Sequence, residues 1–406
     1  MRPQAKISAE PFEAQLEAQE VDYKSIALLS AAHLSDDINQ GAVPAMLPFF
    51  IAANHLTYAA AAGLVLAQTL SSSVAQPLFG MLADRRSSPW LIPVGLCFAG
   101  MGIALAGLAP NYGLIFAAIA ASGLGVSAFH PEASRRVRHL SGSRQATAMS
   151  LFTVGGMAGF AIGPLVITPT LIAFGIHGAV VLAFPVAIMA LTVAYRLPRF
   201  TTVEESRGTR IRGHAALGSE HWSDFARLTV VVMLRSVVFF GLNTFVPLYW
   251  TGVLGGSKAG GGLALTTFLA AVTLGTLIGG RMADRHGRRI VVVASLGALV
   301  PLLLVFLSSS SVTAALALLV PVGIALAAPA SVVVVMGQEY LPNRLGLAAG
   351  VTLGLSMTVG GLFMPLFGSI ADHYGLTTAM KLLSIVPALG FAASLALRES
   401  SGSVYS

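Results

Sequence analysis

The sequence predicts an all-α membrane protein of twelve transmembrane helices in two pseudo-symmetric six-helix bundles. Three observations predict it. Of 406 residues, 55% are hydrophobic and 10% charged, whereas a soluble domain carries about 25% charged residues. So few charges do not cover a water-facing surface, but they suit a lipid-facing one. Apolar stretches long enough to cross a bilayer recur along the whole chain. Finally, short motifs of the first half return in the second at a near-constant offset.

A crossing needs about 20 mostly apolar residues, each rising about 1.5 Å, to span about 30 Å of hydrocarbon. Residues 1–24 precede the first crossing and carry Glu10, Glu13, Glu17, Glu20 and Asp22. They hold no apolar core of the kind a secretion signal needs, so they read as a cytoplasmic tail. The first-half crossings are 25–53, 57–82, 90–109, 112–138, 145–174 and 177–197, which make a domain over 25–197. The third contains Cys97, the single cysteine, which rules out an internal disulfide. The fifth is thinned by Gly155, Gly156, Gly159 and Gly163, and small residues let membrane helices pack closely. Residues 198–222, with Arg199, Glu204, Glu205, Arg207, Arg210 and Arg212, read as a flexible polar linker. The second-half crossings are 223–252, 260–283, 289–308, 311–340, 344–371 and 376–397, a domain over 223–398 followed by a short tail at 399–406.

The net charge of +7 is explained by where it sits. With both termini on the cytoplasmic side, every Lys and Arg except Lys258, Lys381 and Arg235 falls at cytoplasmic loops or helix ends. That is the positive-inside pattern. It orients the chain and removes the need for a nucleic-acid partner.

The halves repeat each other. Gly80-Met-Leu-Ala-Asp84-Arg85 returns as Gly280-Arg-Met-Ala-Asp284-Arg285, and Thr153-Val-Gly-Gly156 as Thr358-Val-Gly-Gly361. Glu132 corresponds to Glu339, and Val43-Pro44 to Val246-Pro247. Parallel repeats imply a two-fold pseudo-axis along the membrane normal, with a solute site between the halves.

The first crossing carries the most chemistry. His33, Asp36, Asp37 and Gln40 follow helical spacing and share a face. Asp36 lies 12 residues past Lys24, roughly 18 Å deep. An ionised carboxylate there costs about 3 kcal/mol or more. Burial opposes its charge and a nearby cation favours it, so a carboxylate balanced between the two carries a proton. Either aspartate fits, and so does a merely structural bond to His33. Arg235 sits at similar depth in the seventh crossing. Because arginine keeps its charge, it pairs with Asp36 or Asp37 across the halves, or binds an anionic solute in a bidentate contact. Gln68 and Asn243 are mid-span polar groups suited to solute contact or to bridging helices. His130, beside Pro131, has a reference pKa near neutrality and suits a proton relay.

The run Gly280 to Arg289 resembles the loop signature of the major facilitator superfamily. The first-half copy keeps Gly80, Asp84 and Arg85 but has Ser87 and Ser88 where Gly and Arg are usual. A narrower likeness is to the fosmidomycin-resistance branch of drug exporters. It is carried by His33 to Pro44, Ser127 to Ala133 and Gln76-Pro77-Leu-Phe-Gly80. Gly159 to Pro164 partly matches the superfamily's antiporter signature. The resemblance implies the major facilitator fold and proton-driven export of a small, anionic compound. It also implies a cytoplasmic latch of Asp84, Arg85, Asp284, Arg285 and Arg288 with the helix-end acids Glu132 and Glu339. Such a latch gates the pathway and does not bind solute.

No Gly-rich loop ending in Gly-Lys-Ser/Thr is present, so ATP drive is not expected. No Cys/His metal spacing and no catalytic constellation appear. The expectation is a monomeric antiporter of a bacterial inner membrane, not an enzyme. It would have no cofactor, with protons, a small anionic solute and lipid as partners. An uptake symporter for an organic anion uses the same residues. A membrane enzyme or solute receptor is the rival of another class.

Overall fold

The computed structural model describes residues 21–85, 88–142, 144–205 and 219–399. In the first half, α1 runs Tyr23–Asn54, α2 Tyr58–Arg85, α3 Leu91–Leu108, α4 Tyr112–Leu140 and α5 Gln145–Phe174. A 3₁₀ run, Gly175–Leu182, leads into α6, Ala183–Glu205. In the second half, α7 is Trp222–Gly252, α8 Lys258–His286 and α9 Arg288–Ser308. The next three are interrupted. Helix α10 spans 312–340 and breaks at Ala328. Helix α11 spans 345–374, with a π-helical turn at Gly350–Leu355 and a break at Phe363. Helix α12 spans 376–395 and breaks at Ser384.

The sequence writes the helix starts. Asp22, Asn111, Ser257 and Ser311 each accept a backbone N–H of the first turn, which satisfies a donor the helix leaves free. Among the described residues, ten stretches are long and apolar enough to cross a membrane by length and composition. One of them, Thr147–Arg196, is 50 residues long, about twice one crossing. It turns where Gly175 takes a φ of +62°. Helix α1 falls outside the ten; its middle is interrupted by the polar residues 33–40. The linker expected over 198–222 begins later, because α6 continues through Glu205. No Gly or Pro lies between Arg199 and Glu205 to stop the helix earlier.

The outer surface is apolar. Phe184, Ile188, Leu191 and Tyr195 stand exposed along one face of α6, and Leu78, Phe98, Met101 and Leu105 on α2 and α3. An apolar surface this continuous suits hydrocarbon. Inside, α1 and α5 meet backbone to backbone. A methyl group at Gly155, Gly159 or Gly163 would strike the backbone of Ser30, Leu34 or Ile38, and one at Gly41 would strike Phe160.

The repeat is visible in the connections. Asp22 N–H donates to the Leu140 carbonyl, and His221 N–H to that of Tyr340. Arg144 reaches the Tyr23 hydroxyl at 3.2 Å, while Arg344 lies over the Trp222 ring at 5.3 Å.

Contacts between the halves run along α1–α7, α5–α8 and α2–α11. They gather at the middle and at the end remote from the Arg-rich loops. There, Asp372 of α11 accepts the N–H groups of Tyr58 and Ala59 at 2.7 and 2.9 Å, capping α2. Lys258 lies 4.6 Å over Phe49, and Thr358 donates to Ser73 at 2.8 Å. At the Arg-rich end, α4 packs chiefly on α1, α2 and α3, and α10 chiefly on α8, α9 and α7.

Candidate functional site

The polar residues of α1 meet one residue of α4 under the cover of α5. His33 is stacked on Phe152, ring centroids 4.1 Å apart, and meets His130 edge-on at 4.8 Å. His33 Nε2 lies 3.2 Å from Asp37 Oδ2, and His130 Nε2 lies 3.6 Å from Asp37 Oδ1. Gln40, one turn further, donates its amide to Asp37 Oδ1. Asp36 points to the other side of the cluster. It is fully buried, with both oxygens short of a hydrogen-bond partner, and its nearest cationic group is His130 Nδ1 at 3.5 Å.

Two local features create this packing. A Cβ at Gly156 of α5 would meet the His33 ring and Asp37, so only glycine leaves room for the cluster. Pro131 lacks an N–H and loosens the α4 ladder next to His130. Phe129 and Phe152 close the apolar wall around His33. A buried carboxylate flanked by imidazoles in such a wall is a site that holds or passes a cation as small as a proton.

Helix α7 presents a different surface. Arg235, Phe239 and Asn243 recur every four residues and so share a face. Phe239 stacks on Phe160 of α5 at 6.3 Å, which turns that face toward the first half. Arg235 is partly exposed, its Nε is buried without a partner, and among the described residues no carboxylate lies within 4.0 Å of it. Asn243 is buried, and its Oδ1 likewise lacks a donor. A guanidinium held in an apolar setting without a counter-ion is suited to receive an anion through its planar fork.

The remaining polar residues divide. Gln68 bridges α2 to α1, donating to the Asn39 carbonyl at 3.3 Å. Phe240, Tyr249 and Trp250 are buried in the core. Glu132 pairs with Arg136 at 2.9 Å and Arg135 at 3.5 Å, both on its own helix. Glu339 pairs with Arg288, whose N–H also reaches Glu399 at 2.9 Å. Arg285 and Asp284 are exposed at the end of α8. The side chains of Asp84 and Arg85 lie outside the described residues. The pairs Glu132–Arg135, Glu132–Arg136 and Glu339–Arg288 each lie within one half. Asp372, in the run Gly368-Ser-Ile-Ala-Asp372-His-Tyr-Gly375, is a carboxylate that joins the halves. Its signal in sequence is the Gly-x-x-Ala-Asp-x-x-Gly spacing it shares with Gly280 to Gly287, placed at the helix end far from the arginines. Phe152 carries no sequence signal, because neither its carbonyl bond to His33 nor its ring stacking on the imidazole follows from residue type.

A cavity of about 650 Å³ opens at the far end between Phe49, Leu171, Gly175 and Lys258. It lies away from both polar groups.

The sequence model of the Major Facilitator Superfamily matches residues 29–261 and 228–404. The chain is 31% identical over 370 residues to the fosmidomycin resistance protein of Escherichia coli, covering 90% of each chain. It is 29% identical over 379 residues to the uncharacterized MFS-type transporter YfnC of Bacillus subtilis, covering 92% of each. Among solved structures, it resembles a bacterial homologue of the human lysosomal transporter Spinster in an inward-facing, occupied conformation. There the TM-score is 0.77 at 14% identity, over 95% of this chain and 97% of the other. The nucleoside transporter NupG matches with a TM-score of 0.72 at 14% identity, over 92% and 100%.

Proposed function

The chain belongs to the major facilitator superfamily, and on that premise we propose that it is a proton-coupled antiporter exporting a small anionic compound. It is a multi-pass membrane protein with the fold of membrane transporters. In this reading its twelve crossings lie in a bacterial inner membrane, with the Arg-rich loops and both termini in the cytoplasm.

The observation that carries the reading is a division of charge between the halves. One half buries two carboxylates among two imidazoles; the other holds Arg235 with no carboxylate within 4.0 Å among the described residues. Two needs of antiport, a proton seat and an anion seat, are thus supplied by separate halves. The anion binds Arg235 from the cytoplasm, through a phosphonate- or carboxylate-like group. Gln40 and Asn243 flank the path, while Gln68 braces α2 against α1. Protons arriving from outside load the His33, Asp36, Asp37 and His130 group. The halves then rock, and the far-end contacts of Asp372 and Lys258 open as those of the Arg-rich end close. The 31% identity to the fosmidomycin resistance protein supports an exported, drug-like anion.

The reading is tested in proteoliposomes with an imposed pH gradient and a panel of phosphonates and carboxylates. Anion movement against the proton flux is expected. Asp36→Asn and Asp37→Asn, singly and together, are expected to abolish gradient-driven movement. Retained movement in all three ends the coupling scheme, and co-movement of proton and anion makes the chain an uptake symporter.

A further inference from the structure

Each imidazole of the cluster has one nitrogen already committed. His33 Nδ1 lies 2.8 Å from the Phe152 carbonyl oxygen, and His130 Nδ1 lies 2.9 Å from that of Val126. A carbonyl oxygen accepts and never donates, so both Nδ1 atoms carry hydrogen. A neutral imidazole has a single N–H, which leaves both Nε2 atoms as acceptors. These two atoms face each other at 3.1 Å, with the ring planes perpendicular at 90°. Asp37 adds its two oxygens, also acceptors, at 3.2 and 3.6 Å. The Gln40 amide is the one side-chain donor turned into the group, and it serves Asp37 alone. Acceptors packed this closely need one more hydrogen between them.

We infer that a single proton lies on the line between His33 Nε2 and His130 Nε2, shared by the two rings, and that it is the proton exchanged for the solute. This rests on the proton-driven reading above. On loading, a hydronium ion gives up its proton, a new N–H bond forms at one Nε2, and water is released. On unloading, that N–H bond breaks to water and both rings become neutral. Asp37 balances the charge while the proton is present. The other charged groups around the pair are Asp36 on α1 and Glu132 on α4, the latter engaged by Arg135 and Arg136. From α5 the pair meets, among the described residues, the ring and carbonyl of Phe152 and Gly156, none of them titratable. From α7, Arg235 makes no ion pair with either aspartate.

The consequence is mechanical. Without the proton, two nitrogen lone pairs and a carboxylate face one another with nothing between them, and the group must spread. Helix α5 blocks that at Gly156, where even a methyl group does not fit. The free direction is α4, loosened at Pro131, whose following turns carry Glu132, Arg135 and Arg136. Proton loss is thereby transmitted to the Arg-rich end of α4.

The test is nitrogen NMR of the full-length protein in detergent, labelled with ¹⁵N-histidine, at the pH where transport runs. The expected signature is one proton signal coupled to two Nε2 resonances. The shared proton signal should be lost in His33→Gln and in His130→Gln, each variant keeping the single Nε2 resonance of its remaining ring, and both variants should lose gradient-driven transport. Two acceptor-type Nε2 resonances without a shared proton overturn the inference, as does gradient-driven transport surviving in either variant. A change of those resonances on adding EDTA also overturns it, because a divalent cation then lies between the rings. The wild-type spectrum decides alone if the variants do not fold. Wild-type transport that ignores the pH gradient sinks the proton-driven reading itself, whereas a driven wild type without the shared proton sinks only this inference.

Discussion

The first half surrounds one of its deep carboxylates, Asp37, with partners, and the second half leaves its deep guanidinium, Arg235, without a carboxylate. Asp37 is met by two imidazoles and an amide; Arg235 has no carboxylate within 4.0 Å among the described residues. The duplicated motif Thr-Val-Gly-Gly shows how one ancestral backbone serves both. Gly156 makes room for the His33 and Asp37 side chains of its own half, whereas Gly361 makes room for Thr69 of the other half. The repeat supplies space, and what fills the space differs. A self-balanced group tolerates the apolar interior, whereas a lone guanidinium is costly there until an anion arrives.

The largest effect expected from this contrast is at the two glycines. Gly156→Ala overpacks the imidazole cluster and should cost about 2–3 kcal/mol, read as a lower thermal midpoint in detergent, with gradient-driven transport lost. Gly361→Ala meets one threonine side chain, and its cost should stay near 1 kcal/mol. Equal losses would break the comparison.

Arg235→Ala comes next. It should weaken binding of an anionic solute by about 10- to 100-fold, roughly 1.5–3 kcal/mol. Titration calorimetry checks it, and Arg235→Lys should recover only part because the planar fork is gone. Unchanged affinity would mean that the second half has no anion seat.

Asp372→Ala sharpens the contrast at the far end. Removing the cap from the first turn of α2 should cost about 1 kcal/mol. The amides of Tyr58 and Ala59 should then exchange with deuterium about fivefold faster. The smallest effect belongs to Arg288→Ala, which breaks the pair with Glu339 inside one half. A partly exposed ion pair contributes about 0.5 kcal/mol, so the thermal midpoint should barely move.

Much of this was legible in the sequence, for physical reasons. Lipid demands long apolar runs, so most helix limits were read to within a few residues, α6 excepted, and the caps at Asn111 and Ser257 fix two of them. Spacing placed His33, Asp37 and Gln40 on one face, since helix geometry is local. Spacing did not show that Asp36 turns away from them, nor that His130 of α4 closes the group. That depends on α4 crossing α1 at one height. Spacing offered both His33 and Arg235 as partners of the aspartates and did not decide between them, because a pairing across helices is decided by packing. The Phe152 carbonyl was invisible, because a backbone oxygen has no signature of its own, whereas Asp372 carried the spacing of Gly280 to Gly287 without its arginines, and only packing shows that it caps α2. The sites of interruption in α10 and α12 likewise follow from packing; Pro329 and Pro387 mark them only afterwards.

The contrast between α5 and its counterpart α11 has one further consequence. Helix α5 is a single uninterrupted rod seated backbone to backbone against α1 at Gly155, Gly159 and Gly163, while α11 carries a π-helical turn and a second break within its length. When the molecule changes shape, bending should therefore concentrate in α11, with α1 and α5 travelling together like the two rails of a ladder. The route that opens first ought to be the seam where α11 leaves α2, so labels that report curvature belong on α11 and labels that report tilt belong on α5.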